Sequence, residues 1–539
     1  MRRLSADLDV AELARMVPAF GIGVVWAVLM FNSGGYHPQA WMPAGLVVVA
    51  LFALAVVGSG RLLPPAGAAR TALLLLLGFT GWCYVSITWS DGRGPSWEAA
   101  NLLLVSVLAA WTLALVPWRT RTAQTFMVAL AAVAAVACLV TLLGALDARD
   151  LTARFEDFRF SPPLDYPNTT AAFAFMAAIP ALLLASRPDA SVPAKALSQG
   201  LTTFLCAFAL LPQSRGSILG GLAAVVILFV AVPFRWRLLA HFVLLAVCVL
   251  AVAGPVGEVY SAAANTGRAS EALRDAFTAM LLAVAAAIGA GALLALAEDR
   301  MAVADEWEGV ARRGAQMAGV LALLVLVAAG VVKSGSIADT ASDQWQALKN
   351  PGADFTGTQA NDGGNRLTST DPLERYDYWR VSVAGFGSNP IGGMGAGGFE
   401  HRYALSRRYP KPSRYPHNVV MKVVGDTGLV GLGLITGFLI VVVRGLVLGS
   451  RRRATRERVI FATGAASLAY FLAHGMFDWL EAYPVLVGPA LGFPIVALAV
   501  RGRADRVKTA AREAVRGEAP PAREERPRAT PITPRTTSG

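Results

Sequence analysis

Apolar and polar positions separate along this chain into long blocks. Apolar runs cover Val17–Phe31, Trp41–Val57, Thr71–Trp89, Ala99–Val116, Phe126–Leu146, Thr169–Ser186 and Ala196–Leu211. They resume at Gly216–Val232, Leu238–Ala253, Ala276–Ala297, Ala315–Val332, Val419–Val447, Val459–His474 and Val485–Val500. A helix of about 20 apolar residues crosses the ~30 Å of hydrocarbon in a bilayer. Helices close their backbone hydrogen bonds internally, whereas a barrel would show short alternating segments. The pattern predicts an all-α, polytopic integral membrane protein with about 12–14 transmembrane helices. Residues 1–332 hold eleven spans with short loops, 333–418 one large polar segment, 419–500 the last spans and 501–539 a basic tail.

Charge adds an orientation. Only 16% of the 539 residues are charged and 55% are hydrophobic; a soluble domain carries about 25% charged residues. With the N-terminus in the cytoplasm, the cytoplasmic loops hold Arg61/Arg70, Arg119/Arg121, Arg187/Lys195, Arg235/Arg237, Arg300/Arg312/Arg313 and Arg451–Arg458. The opposite loops, Trp89–Glu98, Asp147–Asn168, Gly254–Asp275 and Lys333–Pro416, are mixed in sign, as the positive-inside rule requires. The net charge of +12 therefore reflects topology and gives no case for nucleic acid. Met1–Arg15 is charged and has no cleavage-type site after it, which predicts a retained first helix. The tail from Arg501 is too polar to bury a core; it is a solvated tail or a contact for anionic lipid. All four cysteines fall in apolar runs, with neither a disulfide framework nor metal-ligand spacing. Walker loops, zincin motifs and nucleophile elbows are absent, which disfavours an ATP-driven pump or a metallohydrolase.

The large polar segment concentrates the candidate chemistry. Its first half is turn-rich. Its second half, Asp371–Phe386, spaces Leu373, Tyr376, Trp379, Val383 and Phe386 as one face of an amphipathic helix near the membrane surface. Arg375 and Trp379, four apart, share a face; with Arg380 they form a phosphate-and-sugar surface or an ordinary solvated face. Glycines at 392–398 predict a sharp bend. The basic run to Arg414, interleaved with tyrosines, is a solvated surface or a grip for anionic headgroups and glycans. His417, between Pro416 and Asn418 where the chain re-enters the membrane, is a general base or a hydrogen-bonded anchor. Arg215, in the turn Gln213-Ser-Arg-Gly-Ser217, is a snorkelling arginine or a diphosphate ligand. His474 and Asp478 are predicted to face each other on one helix, orienting catalytic groups or pairing helices. Asn168 is predicted to cap a helix, or to touch substrate.

Taken in order, these motifs resemble the O-antigen ligase and Wzy-type polymerase superfamily of bacterial inner membranes. The resemblance rests on Ser214–Gly216, Arg375-x-x-x-Trp379, Pro390-Ile-x-Gly-x-Gly395, His417-Asn418, Gly425-Asp-x-Gly-Leu-x-Gly431 and His474-x-x-x-Asp478, and covers roughly 147–500. It implies a GT-C-like, metal-independent, inverting glycosyltransferase with no cofactor. The donor is then a glycan on undecaprenyl diphosphate, and the acceptor a lipid or glycan hydroxyl at the outer face. Carried over, Arg215 and Arg375 hold the diphosphate and His417 activates the acceptor, with Arg380, Trp379, Asn418, Arg414, His474, Asp478 and Asn168 around the substrates. Asp426 stands where glutamate is common, and the span count exceeds that usual for the ligases. Protein O-oligosaccharyltransfer and solute transport are the alternatives; a transporter would place charge near mid-membrane, whereas these candidates gather at one face.

The loop charges generate a topological prediction. In a Gly363→Cys variant the new thiol reacts with a membrane-impermeant reagent in intact cells. Reaction only after lysis reverses the orientation.

Overall fold

In the computed structural model the described residues are 10–148, 150–301, 373–408, 411–451 and 455–500. They contain fifteen α-helices: α1 Val10–Met30, α2 Pro38–Ser59, α3 Ala68–Ser86, α4 Arg93–Leu115, α5 Thr120–Leu146, α6 Pro167–Ser186, α7 Val192–Leu210 and α8 Arg215–Ala231. The series continues with α9 Arg235–Asn265, α10 Ala269–Met301, α11 Leu373–Ser388, α12 Phe399–Ser406, α13 Val419–Arg451, α14 Thr455–Gly475 and α15 Pro484–Ala499. Each predicted apolar run lies on one of these helices except Ala315–Val332, which falls outside the described residues. So do the start of the large polar segment, the Asp371-Pro cap and the basic tail. Among the described residues eight helices are long and apolar enough to cross a membrane, and Ala14–Met30, Arg215–Ala231 and Pro484–Ala499 are shorter apolar helices. The protein is a polytopic helical membrane protein.

Helix α6 is the pillar of the bundle. Proline at its first position presets the backbone and lacks the N–H that a helix start leaves unpaired. Seventeen of its twenty residues are buried, many of them alanine, and α5, α7, α8, α9, α14 and α15 pack around it. Large apolar side chains point outward instead: Val57 is 79% exposed and Leu250 72%. A bundle with apolar flanks suits a hydrocarbon solvent.

Three local expectations change. Residues 254–265 continue α9, so the expected loop Gly254–Asp275 shrinks to 266–268. The segment before α6 holds a two-stranded antiparallel hairpin, β1 (Phe155–Glu156) and β2 (Arg159–Phe160), with Asp157 and Phe158 at positive φ. Lys195 and Arg237 are not loop charges. Both are buried inside first turns, where Lys195 Nζ stands 2.9 Å and Arg237 Nη1 3.1 Å from one oxygen of Glu298 on α10. A buried cation needs such a partner, and that pairing draws them out of water.

Helix α13 is broken at Gly428, whose φ of 62° and ψ of −159° are open only to glycine. The break rearranges the hydrogen bonds. Gly425 O, which a regular helix would give to Leu429 N, accepts from Met394 N at 2.8 Å, and Leu429 N donates to Pro390 O at 2.9 Å. The turn after α11 is thus threaded into the gap. Asp426 completes the join: its carboxylate accepts from Gly397 N at 3.0 Å, Phe399 N at 3.2 Å and Lys422 Nζ at 3.0 Å.

A Cβ on Gly428 would meet Ile391 O at 2.3 Å, whereas one on Gly433 would meet open space. Gly428→Ala therefore lowers stability by about 1–3 kcal/mol or more, read as a lower melting temperature in detergent, and Gly433→Ala leaves it near wild type. Equal melting temperatures would contradict this account of the break.

Candidate functional site

His417 sits at the start of α13 in a backbone conformation that side chains other than glycine seldom adopt, with φ +52°. Pro416 restricts the chain before it. Asn418 fixes the chain after it, accepting from Val420 N and Met421 N at 2.9 Å each and donating to Met476 O at 2.9 Å. Asn418 is therefore the N-cap of α13. The imidazole stacks on Tyr378 of α11, ring centroids 4.9 Å apart and 19° between planes. Its Nδ1 lies 3.0 Å from Tyr415 O, and its Nε2 accepts from the indole N–H of Trp479 at 3.1 Å.

Asp478 is the nearby anion. It is buried in the turn between α14 and α15, 3.8 Å from His474 Nε2. The helix ends at Gly475, so the two residues meet across a helix end and not on one helix face as expected. Burial, the largest influence, pushes the Asp478 carboxyl up; His474, His417 and Arg375 outweigh it and hold the group below the ordinary carboxylate range. His474 in turn packs on the Ser-Arg-Gly turn: Ser217 Oγ is 3.4 Å from Nδ1, and a Cβ on Gly216 would meet the ring at 2.5 Å. Ser214 caps α8 by accepting from Ser217 N at 3.3 Å, which places Arg215 as the first helical residue. Glycine at 216 is thus what lets the Arg215 turn approach the His474–Asp478 pair.

Arg375 projects from α11 toward this group, close enough for its charge to act on both Asp478 and Tyr166. Its Nε is buried without a hydrogen-bond partner among the described residues. A fifth element, the hairpin, brings Arg159, buried at 5% exposure. Its Nε donates to Pro212 O at 2.8 Å and its Nη2 to Asn168 Oδ1, tying the Arg215 turn to the start of α6. Asn168 is accordingly not the cap: Tyr166 holds that position and Asn168 is the second helical residue, drawn into the interior by the arginine. Trp479 stacks on Tyr415 (4.7 Å) and Tyr166 (4.8 Å), and lies 5.3 Å from Tyr36 and 5.4 Å from Tyr483.

Other candidates turn elsewhere. Arg380 bonds Asp377 Oδ1 through Nε at 2.9 Å and Nη2 at 2.7 Å, and Ser406 O at 2.6 Å, so it staples α11 to the end of α12. Five residues separate it from Arg375, which puts the two on different faces. The buried face of α11 is Asp377, Tyr378, Val381 and Ser382; Val383 is 56% exposed. The helix packs on α13 and α12. Trp379 is half-buried beside Tyr378, Val381, Phe399 and Tyr403. Arg414 pairs with Glu400 at 3.1 Å and Glu98 at 3.5 Å, so its charge is largely answered within the protein. Sequence reasoning passed over Arg159, Trp479, Tyr378 and Glu481. Burial pushes the Glu481 carboxyl up to about 7, and its Oε2 finds no hydrogen-bond partner among the described residues. Among the described residues no group of three His, Cys, Asp or Glu stands together to hold a metal.

The assembly brings arginines, aromatic rings, the Asp478 carboxylate and an imidazole together at one end of the bundle, with Glu156 within electrostatic reach of Arg159 and Asp478. Residues 200–436 match the family Wzy_C, described as O-antigen ligase. The match takes in Arg215, Arg375, His417 and the broken start of α13, and ends before His474 and Asp478. No curated protein matches the chain.

The two arginines of α11 separate by stability. Arg380→Ala leaves buried Asp377 short of its main partner and lowers stability by about 1–3 kcal/mol; Arg375→Ala, which removes no such hydrogen bond, lowers it less. Melting temperatures in detergent test this, and the reverse order would overturn the assignment of Arg380 as the staple.

Proposed function

We propose that this chain, a member of the O-antigen ligase family through residues 200–436, transfers a glycan from undecaprenyl diphosphate to an acceptor hydroxyl at the outer face of the inner membrane. One observation carries this reading. The Arg215 turn, Arg375, His417 and the His474–Asp478 pair, drawn from four separate elements, meet at one end of the bundle. A lipid-linked donor needs that location, because its diphosphate sits at the headgroups while its glycan extends into water.

The residues divide the reaction between them. Arg215 and Arg375 hold the diphosphate; a guanidinium suits phosphate oxygens because it donates two parallel hydrogen bonds. The acceptor O–H gives its proton to His417, and its oxygen forms a bond to the anomeric carbon. The bond from that carbon to the diphosphate oxygen breaks, and the lipid diphosphate leaves with the electron pair. The two arginines meet the charge that develops there, where fixed cations act most strongly. A single in-line displacement inverts the anomeric centre. Asp478, held ionised, stabilises the imidazolium that forms, and no metal takes part. Ligation to a lipid acceptor and polymerisation of glycan units share this chemistry.

The test uses purified protein, a lipid-diphosphate glycan donor and an acceptor. His417→Ala folds and binds donor, yet transfer falls by about 10²–10⁴-fold, the usual scale for acid–base catalysis. His417→Gln is equally slow, since it keeps hydrogen bonding without basicity. Arg215→Lys and Arg375→Lys keep the charge, lose the paired geometry and bind donor more weakly. Wild-type turnover persists in excess EDTA. Near-normal transfer by His417→Gln would remove the base role, and unchanged donor affinity in both arginine variants would remove the diphosphate site.

A further inference from the structure

The basic nitrogen of His417 is already occupied. A carbonyl oxygen only accepts, so the Nδ1 that faces Tyr415 O at 3.0 Å carries the proton, and Nε2 bears the lone pair. That lone pair receives the indole N–H of Trp479 at 3.1 Å. If His417 is the base, its proton-accepting atom is covered in the resting protein.

The covering group is held firmly. The Trp479 ring stacks on Tyr415 with 12° between planes and on Tyr166 with 28°. Its backbone N–H donates to Asp478 Oδ1 at 3.0 Å, so the indole and the site carboxylate belong to one turn. The His417 ring is pinned from the other side by Tyr378. Neither His417 nor Trp479 is fully buried.

We propose that Trp479 is a positioning residue that masks the base: its N–H fixes the tautomer of His417 and caps Nε2 until an acceptor hydroxyl takes its place. This rests on the reading of His417 as general base and adds a specificity to it. Water carries the same O–H as the acceptor, and its attack would break the same bond from anomeric carbon to diphosphate, destroying the donor. Moving a stacked indole needs binding energy, which a glycan acceptor supplies through its remaining contacts and a single water does not. The mask therefore discriminates acceptor from water.

Two replacements remove the N–H. Trp479→Phe keeps an aromatic ring. Benzothienylalanine at 479 keeps the shape of tryptophan with sulfur in place of N–H, so it remains informative where phenylalanine disturbs folding. Two readouts apply to each: hydrolysis of the lipid-diphosphate glycan without acceptor, and the pH profile of transfer with acceptor. Without the indole donor the lone pair of Nε2 is open. Acceptor-free hydrolysis then rises severalfold, and the acid limb of transfer moves to higher pH by roughly half to one unit, because the neutral imidazole has lost a partner. Among the described residues Tyr378, Tyr415 and Asp478 also act on His417, with Arg375 and His474 acting through Asp478. None is altered, so a shift belongs to the indole. Wild-type hydrolysis and an unmoved acid limb in the benzothienylalanine protein would overturn the mask. The base reading fails separately: an active His417→Gln removes it and the mask together, whereas inactive His417→Gln beside wild-type-like Trp479 variants removes the mask alone.

Discussion

The site depends on a helix that is interrupted on purpose. A continuous α13 would satisfy its own backbone and leave the turn after α11 with unpaired groups. Breaking it at Gly428 frees a carbonyl and an amide, and the Pro390–Met394 turn fills both. The exchange conserves hydrogen bonds, so it adds little strain beyond what glycine absorbs. Asp426 then accepts from the amides that open α12. Through this join α11 is docked on α13, and both Tyr378 and Arg375 are carried to the imidazole that precedes α13. The glycine motifs therefore act as a joint, and the chemistry is borne by their neighbours.

Charge within the site is unevenly committed. Arg159 and Arg375 act beside Asp478, with Glu156 also within electrostatic reach, while other carboxylates are paired: Asp426 to Lys422, Asp377 to Arg380, Glu400 to Arg414. Arg380 and Arg414 are thus answered by carboxylates of the protein, which sets them apart from Arg375, whose Nε is buried without a hydrogen-bond partner among the described residues.

Much of the fold was legible from apolar run length, since a helix that crosses hydrocarbon must be long and uninterrupted by charge. Motifs far apart in the chain come together: His417 and Arg375 both act on Asp478, and the Arg215 turn packs on His474. Other features were not legible. The residues that α11 buries against α13 and α12 were not legible, because Asp377 and Tyr378 lie off the apolar spacing. Asn168 looked like a cap by residue type, but Arg159 across a short hairpin claims its side chain. Trp479 followed Asp478 in plain view; its role exists only because a turn between α14 and α15 aims the indole at a residue more than sixty positions away. Contacts of that kind leave no periodicity.

The second concentration of charge argues against transport. Lys195, Arg237, His241 and Gln199 surround Glu298, all nine-tenths buried or more. Intramembrane charge is ordinarily a sign of function. Here, however, the oxygen of Glu298 that serves Lys195 also serves Arg237, its other oxygen lies 3.5 Å from His241, and Gln199 occupies the far nitrogen of that ring. Lys195 and Arg237 are answered by Glu298 across α7, α9 and α10, while His241 Nε2 and Glu298 Oε1 have no hydrogen-bond partner among the described residues. A translocation site must give up such contacts to its cargo on every cycle. A structural clamp keeps them, and anchors the start of α7, the helix whose other end delivers the Arg215 turn. The cluster and the Arg215 turn thus lie at opposite ends of α7.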